Sequence, residues 1–472
     1  MMRILLVRVN QNSTMGFRDL MQVEPLGLLM IAGVLKEHEV KIVDFANPGD
    51  IKSIVTDFQP DMCGISCSFT VDYDKTITIA KEIKSESKET FIFIGGHHAA
   101  TKPEHFASNY VDALVIGEGE ETIKELVSTY ENKKDFKALK ELKEVNGLVI
   151  NEGGSKNQQY HTTPRSLIKD LNNLPYPRRD LVAEYRPYYY LGLRRPAYAL
   201  ETARGCPYKC KFCSVWRFYR SSYRLKSAKR VFEEIVSMPG DTILVTDDNF
   251  FASIERAYRI GELLKEAGIK KYFSIQARSD DIVRNIDLID LWREVGLSSV
   301  FIGFEQIDQQ GLNNLDKRNT IKNNEEALFA LRNRGINVTS SLIVNPSYSE
   351  NDFEVMLSYI KEKEIRAPSF SVLTPLPGTI LYEEEKDRIL TEDFRLYDLL
   401  HVVLPTNMPL ENFYQNFARL WKESYKQNIP RIRLNSTIRD VLLTPSNWLH
   451  SVKLLRGMKC MFDANNYLLD HN

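Results

Sequence analysis

The chain has 472 residues, too many for one hydrophobic core to organise, so two or three domains are expected. Lysine and arginine total 62 against 63 aspartates and glutamates, a balance that argues against nucleic acid as a partner, and the 43% hydrophobic and 26% charged composition is that of a globular protein. No apolar run reaches about 18 residues and MMRILLVRVN passes straight into a strand-like pattern, so neither a spanning helix nor a leader is expected; a cytoplasmic enzyme is.

In chain order, the apolar runs RILLVRV, VKIVDF, DMCGISCSF, TFIFIGG and DALVIGEG predict short strands. The segments PLGLLMIAGVLKEH, IKSIVTDF, YDKTITIAKEIKSE and ETIKELVSTYEN predict helices between or after them. Residues 1–150 thus read as a doubly wound, Rossmann-like α/β domain with a parallel sheet. Ligands of such folds sit outside the carboxyl ends of the strands. Ser66, Cys67 and Phe69, then Gly95, Gly96 and His97, then Gly117, Glu118, Gly119 and Glu120 gather there. Residues 151–195, rich in Pro, Asn, Tyr and Arg and without periodicity, read as a linker.

From 196 to 385 the alternation resumes. AYALETAR, DTILVTDDNF, KYFSIQARSD, SSVFIGFEQI, NVTSSLIVNP and FSVLTPLPGT predict strands, with SAKRVFEEIVSM, IERAYRIGELLKEAG, NIDLIDLWREVG, NNEEALFALRNRG and ENDFEVMLSYIKEK as intervening helices. Repeated βα units require right-handed crossovers and a parallel sheet, and six of them curl into a partial (β/α)6 barrel of TIM type. Chemistry in barrels gathers at the carboxyl ends of strands. That places Asp247, Asp248 and Asn249, then Gln276 and Arg278, Glu305, Ser341 and Asn345, and the turn Thr374–Thr379 with Pro377, at the mouth. Residues 386–472 read as a helical region. NFYQNFARLWKESYKQ and SNWLHSVKLLRGMKCMF carry apolar faces, and the second either packs on the protein or rests on a membrane or lipid.

Of six cysteines, Cys206, Cys210 and Cys213 fall in the single run RGCPYKCKFC, whereas Cys63, Cys67 and Cys460 are scattered. Disulfides do not persist in a reducing cytoplasm, so clustered thiols point to metal or redox chemistry. Structural zinc wants four closed ligands, and no fourth Cys or His lies within twenty residues of the run. Three soft thiolates with one metal corner open suit an iron–sulfur cluster. A zinc-stabilised binding module is the competing reading. The stretch CSVWRFYRSSYRLKS that follows interleaves aromatic and basic side chains, which suits an active-site rim or single-stranded nucleic acid; the charge balance favours the rim.

C-x3-C-x2-C with Phe212 before the last cysteine resembles the signature of the radical S-adenosylmethionine (SAM) superfamily. The resemblance implies that Cys206, Cys210 and Cys213 hold a 4Fe-4S cluster whose fourth iron is chelated by SAM. It also implies that Phe212 lies near the SAM adenine, and that Asp247, Asp248, Asn249, Gln276, Arg278, Glu305, Ser341 and Pro377 contact SAM. Arg278 is the expected partner of the SAM carboxylate, because a guanidinium fork matches that group.

EPLGLLMIAGVL, IGGHHAATKPE and VIGEGEET resemble the cobalamin (B12)-binding domain that precedes the radical SAM core in one branch of the superfamily, and LNNLPYPRRDL is typical of the same branch. Ser66, Cys67, Phe69, Gly95, Gly96, His97, Gly117, Glu118 and Gly119 are then the expected cobalamin contacts. The D-x-H-x-x-G motif that supplies a lower cobalt ligand in other cobalamin proteins is absent, as is usual in this branch. The implied activity is methylation of an unactivated carbon: a 5'-deoxyadenosyl radical removes hydrogen and methylcobalamin donates the methyl group. Ring closure or rearrangement without methyl transfer is the alternative. CSVWRFYR and the helical end are most similar to the hopanoid C-3 methylases, a lipid-modifying group. The implied partners are a small-molecule or lipid substrate and an external electron donor of flavodoxin or ferredoxin type.

Overall fold

The expected apolar runs form parallel strands in the computed structural model, which describes residues 1–9, 21–44, 50–133, 139–155, 158–426, 454 and 456–471. Chain contacts divide it into two units. The first holds the N-terminal strand, Pro25–Arg186 and Arg217–Arg220; the second holds Pro187–Trp216 and the chain from Ser221 onward.

In the first unit, β1 (Arg3–Arg8), β2 (Glu39–Asp44), β3 (Met62–Ser66), β4 (Phe91–Gly95) and β5 (Ala113–Val115) lie in the order β2-β1-β3-β4-β5, all parallel. The order reverses direction between β1 and β3, which opens a crevice at their carboxyl ends. The interior residues of β1, β3 and β4 are buried on both faces, as strands covered by helices must be. Helices α1 (Leu26–Val34), α2 (Ile51–Phe58), α3 (Tyr73–Glu86) and α5 (Glu120–Lys133) supply the cover, with the short α4 (His97–Thr101) after β4. Asp50 caps α2 by accepting from Lys52 N at 3.0 Å.

The stretch expected to be a linker is more structured than its composition suggests. β6 (Leu148–Asn151) and β7 (Gln159–His161) add two antiparallel strands to the sheet, and the unit continues to Arg186. Leu171, Leu174 and Val182 are buried, Leu171 and Leu174 pack with Met30 of α1, and Arg178 N donates to Leu29 O at 3.1 Å. A few buried leucines spaced among turn residues carry no period, so the sequence hides this packing.

The second unit has six parallel strands in chain order: β8 (Ala197–Leu200), β9 (Thr242–Val245), β10 (Tyr272–Gln276), β11 (Leu297–Glu305), β12 (Asn337–Val344) and β13 (Ala367–Val372). Among the described residues β8 and β13 do not pair, so the barrel is open. Alternate side chains, among them Ile243, Val245, Phe273, Ile275, Val300, Ile302, Leu342 and Val344, join the buried core with the outer helices, and Trp292 donates to Ala257 O at 3.0 Å within it. Each such side chain taken from water stabilises by roughly 1.5–3 kcal/mol. The helix Leu410–Lys426 packs on the last strand through Trp421, whose ring meets Phe370 edge-on at 5.1 Å. Most of SNWLHSVKLLRGMKCMF lies outside the described residues; a further helix, Ala464–Leu469, follows it.

His401 ties the end of the chain to the turn before that packed helix. Its Nδ1 lies 3.0 Å from both carboxylate oxygens of Asp398, and its Nε2 lies 3.4 Å from Asp470 Oδ2. The Nδ1 contact is a hydrogen bond, whereas Nε2 faces Asp470 at charge-contact distance with no hydrogen-bond partner among the described residues. Burial opposes the charge, but Asp398, Asp470 and Asp393 outweigh it and raise the His401 pKa. His471 is lowered by burial and by His401, and its Nε2 faces the Tyr414 hydroxyl at 2.6 Å. A histidine raised on folding stabilises below its unfolded pKa of about 6.5 and loses that contribution as pH rises through the folded value. Hydrogen exchange at Ala464–Leu469, corrected for intrinsic rate, is therefore expected to quicken several-fold between pH 6 and 8. The dependence should vanish in His401→Gln; a flat wild-type profile would refute the assignment.

Candidate active site

Cys206, Cys210 and Cys213 sit on one excursion whose feet are paired antiparallel, Ala203 with Leu225 and Arg204 with Arg224. Gly205, at φ +88, turns the chain into it, a conformation that favours glycine. Local bonds shape the loop: Cys213 N donates to Cys210 O at 3.2 Å, Trp216 Nε1 to the same oxygen at 3.2 Å, and Lys211 N to Leu315 O at 3.1 Å. All three thiols are free. Burial pushes them up, Cys213 to about 12, while Lys317 and Arg278 partly offset the effect at Cys210. Desolvated thiols become thiolates when a metal supplies the compensating charge. Among the described residues no three His, Cys, Asp or Glu side chains converge on a single ion. Three thiols spread along one loop fit a cluster, where each binds its own iron, better than a closed zinc site.

The polar residues expected at the strand ends separate into committed and open ones. Asp247 is buried and accepts from Thr202 N at 2.6 Å, Ala203 N at 3.1 Å and the Thr202 hydroxyl. It faces the base of the cysteine loop. Asn249 is likewise occupied, donating to Asp281 at 2.8 Å and accepting from Arg278 N at 3.3 Å. Asp248 is the open member of the trio: it accepts no hydrogen bond from another side chain among the described residues. Its carboxyl reaches solvent yet has protein around it, and burial followed by the charge of Asp247 pushes its pKa up to about 7.

Arg278 is engaged by the protein. Its guanidinium stacks on Tyr208 at 3.6 Å, donates to Asp280 at 3.0 Å, to Lys317 O at 3.0 Å and to Arg318 O at 2.8 Å. Three of its five N–H donors so engaged make it a brace between the strand end, the cysteine loop and the loop at 315–318. Glu305, held at φ +62, is paired with Lys317 at 2.6 Å, and Lys317 Nζ lies 5.8 Å over the Phe212 ring. Gln276 ends β10, Ser341 stands half-buried on β12 and Pro377 follows β13, so these keep their expected places at the mouth. Tyr208, Lys317, Thr202 and Arg256 were not singled out by sequence. Tyr208 lies inside the cysteine run, but the others carry no local signal.

In the first unit the expected cofactor residues line the carboxyl ends of β3, β4 and β5. Ser66 ends β3, Cys67 is buried with its thiol 3.7 Å from Phe69 O, and Phe69 is 65% exposed. Gly96 has φ +115, and a Cβ there would lie 2.5 Å from Cys67 O, so only glycine fits. Gly117, at φ +84, faces open space, whereas a Cβ on Gly119 would crowd Ile31 and one on Gly95 would make ordinary contact with Val115. An open edge of this kind lets a large flat ligand approach the backbone. Glu118 Oε2 accepts from Ile168 N at 2.8 Å. The His97 ring stacks on Phe218 at 4.6 Å, and burial holds its pKa down at about 4, so it is neutral. His98 is buried, its Nδ1 3.2 Å from Thr70 Oγ1.

Comparison with known proteins matches residues 19–127 to the B12 binding domain and residues 200–360 to the Radical SAM superfamily. The hopanoid C-3 methylase of Methylococcus capsulatus is 30% identical over 475 residues, covering 98% of this chain and 88% of its own. The anaerobic magnesium-protoporphyrin IX monomethyl ester cyclase of Rubrivivax gelatinosus is 25% identical over 419 residues, 85% of this chain and 73% of its own. Among solved structures, the cobalamin-dependent S-adenosylmethionine radical enzyme OxsB with aqua-cobalamin and S-adenosylmethionine bound superposes with a TM-score of 0.69 at 18% identity, over 95% of this chain and 72% of that one.

Proposed function

The chain belongs to the B12-binding radical SAM family, and from that premise we propose that it methylates an unactivated carbon. Its cofactors are a 4Fe-4S cluster, SAM and cobalamin. When bound, these supply a hydrogen-abstracting radical and a transferable methyl group; the protein's task is placement. Cys206, Cys210 and Cys213 would hold the cluster, Asp248 the SAM amino group, and Gln276 and Ser341 the polar rim of the same ligand. Gly96 and Gly117 would let the corrin edge approach the backbone, with neutral His97 stacked on Phe218 as part of the wall. The single observation that carries the reading is the loop of three free, desolvated thiols at the mouth of a six-stranded open barrel, in a chain whose other unit is a B12-type α/β sheet.

The substrate class we favour is a lipid or other hydrocarbon-rich molecule, on the full-length likeness to the hopanoid C-3 methylase. The likeness to a cyclase keeps a reaction without methyl transfer as the second reading. No helix among the described residues is long and apolar enough to cross a membrane. A cytoplasmic location, an external flavodoxin- or ferredoxin-type reductant and peripheral membrane contact belong to the proposal. Anaerobic reconstitution with iron, sulfide, hydroxocobalamin and methyl-labelled SAM in the presence of a low-potential one-electron reductant, followed by mass analysis of treated cell extract, tests it. Deoxyadenosine together with a labelled carbon product supports methylation. Deoxyadenosine with an unlabelled new product selects the second reading, and an intact cluster that makes no deoxyadenosine overturns both.

A further inference from the structure

We propose that Asp247 and Arg256 form a buried clamp on the two feet of the cysteine-bearing excursion and are thereby positioning residues for the iron–sulfur cluster. The proposal rests on the cluster reading above. The excursion leaves the barrel after Thr202 and returns at Lys226, and its two feet set where the segment carrying all three thiols begins and ends. Thr202 is wholly buried, and both sides of its peptide are gripped. Its N–H and hydroxyl, with the N–H of Ala203, donate to Asp247; its carbonyl accepts from Lys226 N at 2.9 Å and from Arg256 Nη1 at 2.6 Å. Arg256 Nη1 also reaches Lys226 O at 3.4 Å, so one guanidinium spans the departing and returning strands. Its Nη2 stands 3.8 Å from Asp247 Oδ2, closing the circuit.

The arrangement is costly as well as specific. Arg256 is 7% exposed, and its Nε and Nη2 find no hydrogen-bond partner among the described residues. Burying unsatisfied guanidinium donors is unfavourable, so the rest of the packing must hold the group where it is. The carboxylate and the guanidinium come from successive βα elements, Asp247 just after β9 and Arg256 on the helix Ile254–Glu266, so the clamp ties the loop to the rigid part of the barrel. Ala203 lies three residues before Cys206; a foot free to shift moves the first thiol with it. Sites loosened by about an ångström lose metal geometry before they lose the fold.

The test uses the full-length chain, reconstituted without air from ferrous iron and sulfide, with iron per chain and the electron paramagnetic resonance of the reduced cluster as readouts. Hydroxocobalamin uptake and far-UV dichroism report the fold. Wild type should take up about four irons. Asp247→Ala and Arg256→Met should retain less than half of that and give a broadened or shifted signal with hydroxocobalamin uptake unchanged. Asp247→Asn, which keeps one acceptor oxygen, should recover most of the iron. Should the Ala and Met variants not fold, Thr202→Val deletes one bond to Asp247 at constant volume and should still shift the signal. Full iron with a wild-type signal in the folded variants overturns the clamp and leaves the cluster reading standing. A folded wild type that binds no iron overturns the cluster reading and the clamp together.

Discussion

Replacing Cys210 by alanine is expected to abolish deoxyadenosine formation from SAM, a loss of at least about 10³-fold, while hydroxocobalamin binding persists. With two of three thiolates the cluster has neither its full ligand set nor a defined open iron. Cys210 belongs to the second unit, so the B12-type sheet keeps its packing. The control is built into the sequence. Cys63 and Cys67 are buried in the core of the first unit and Cys460 packs against the core of the second near the end of the chain, all outside the run in sequence. Cys460→Ser should keep iron content and activity within about two-fold, because a half-buried thiol-to-hydroxyl change away from the site is a small perturbation. Iron analysis and chromatography of the SAM cleavage products decide the matter. Undiminished deoxyadenosine from Cys210→Ala would remove the central assignment.

Asp248 is expected to make SAM affinity depend on pH near neutrality. Its carboxyl, pushed up to about 7 by burial and then by the charge of Asp247, changes protonation state there. The carboxylate accepts from the N–H groups of the SAM amino group more strongly than the protonated acid does, so affinity should weaken by up to about ten-fold for each unit of pH below 7 and level off above about pH 8. Binding is then coupled to proton release, because a bound hydrogen-bond donor favours the ionised form. Asp248→Asn should cost about 10–100-fold in SAM affinity at pH 8 and flatten the profile below pH 8. Calorimetric titration of the cluster-loaded protein at pH 6 and pH 8 reads both effects. A wild-type profile as flat as that of the variant would assign the amino contact elsewhere. The neighbouring Asp247 offers the contrast: its substitution should act on the cluster loop and leave the pH profile of the remaining SAM binding in place.

Two layers of this protein separate cleanly. The alternation of β-branched runs with amphipathic helices was readable because the central strands are largely buried and the helices bury one face, which forces a period into the chain wherever it packs. The cysteine run was readable because its three thiols stand on one short loop and so lie close in sequence. The edge glycines were readable for a similar reason, since a backbone at φ +115 against Cys67 O admits no side chain. What remained hidden was the allegiance of individual polar groups. Asp247, Arg278, Glu305 and Glu118 all stand at strand ends where ligands bind. Each is engaged by a partner far away in the chain: Thr202, Lys317 and Arg318, Lys317 again, and Ile168. Residue type and position by themselves place a charge at the mouth of a barrel or the edge of a sheet. Whether that charge faces a ligand or a peptide depends on which distant segment folds against it, and hydrogen bonds between segments dozens of residues apart leave no periodic trace in the sequence. The tertiary structure alone decided that Asp248 is open while Asp247 is spoken for.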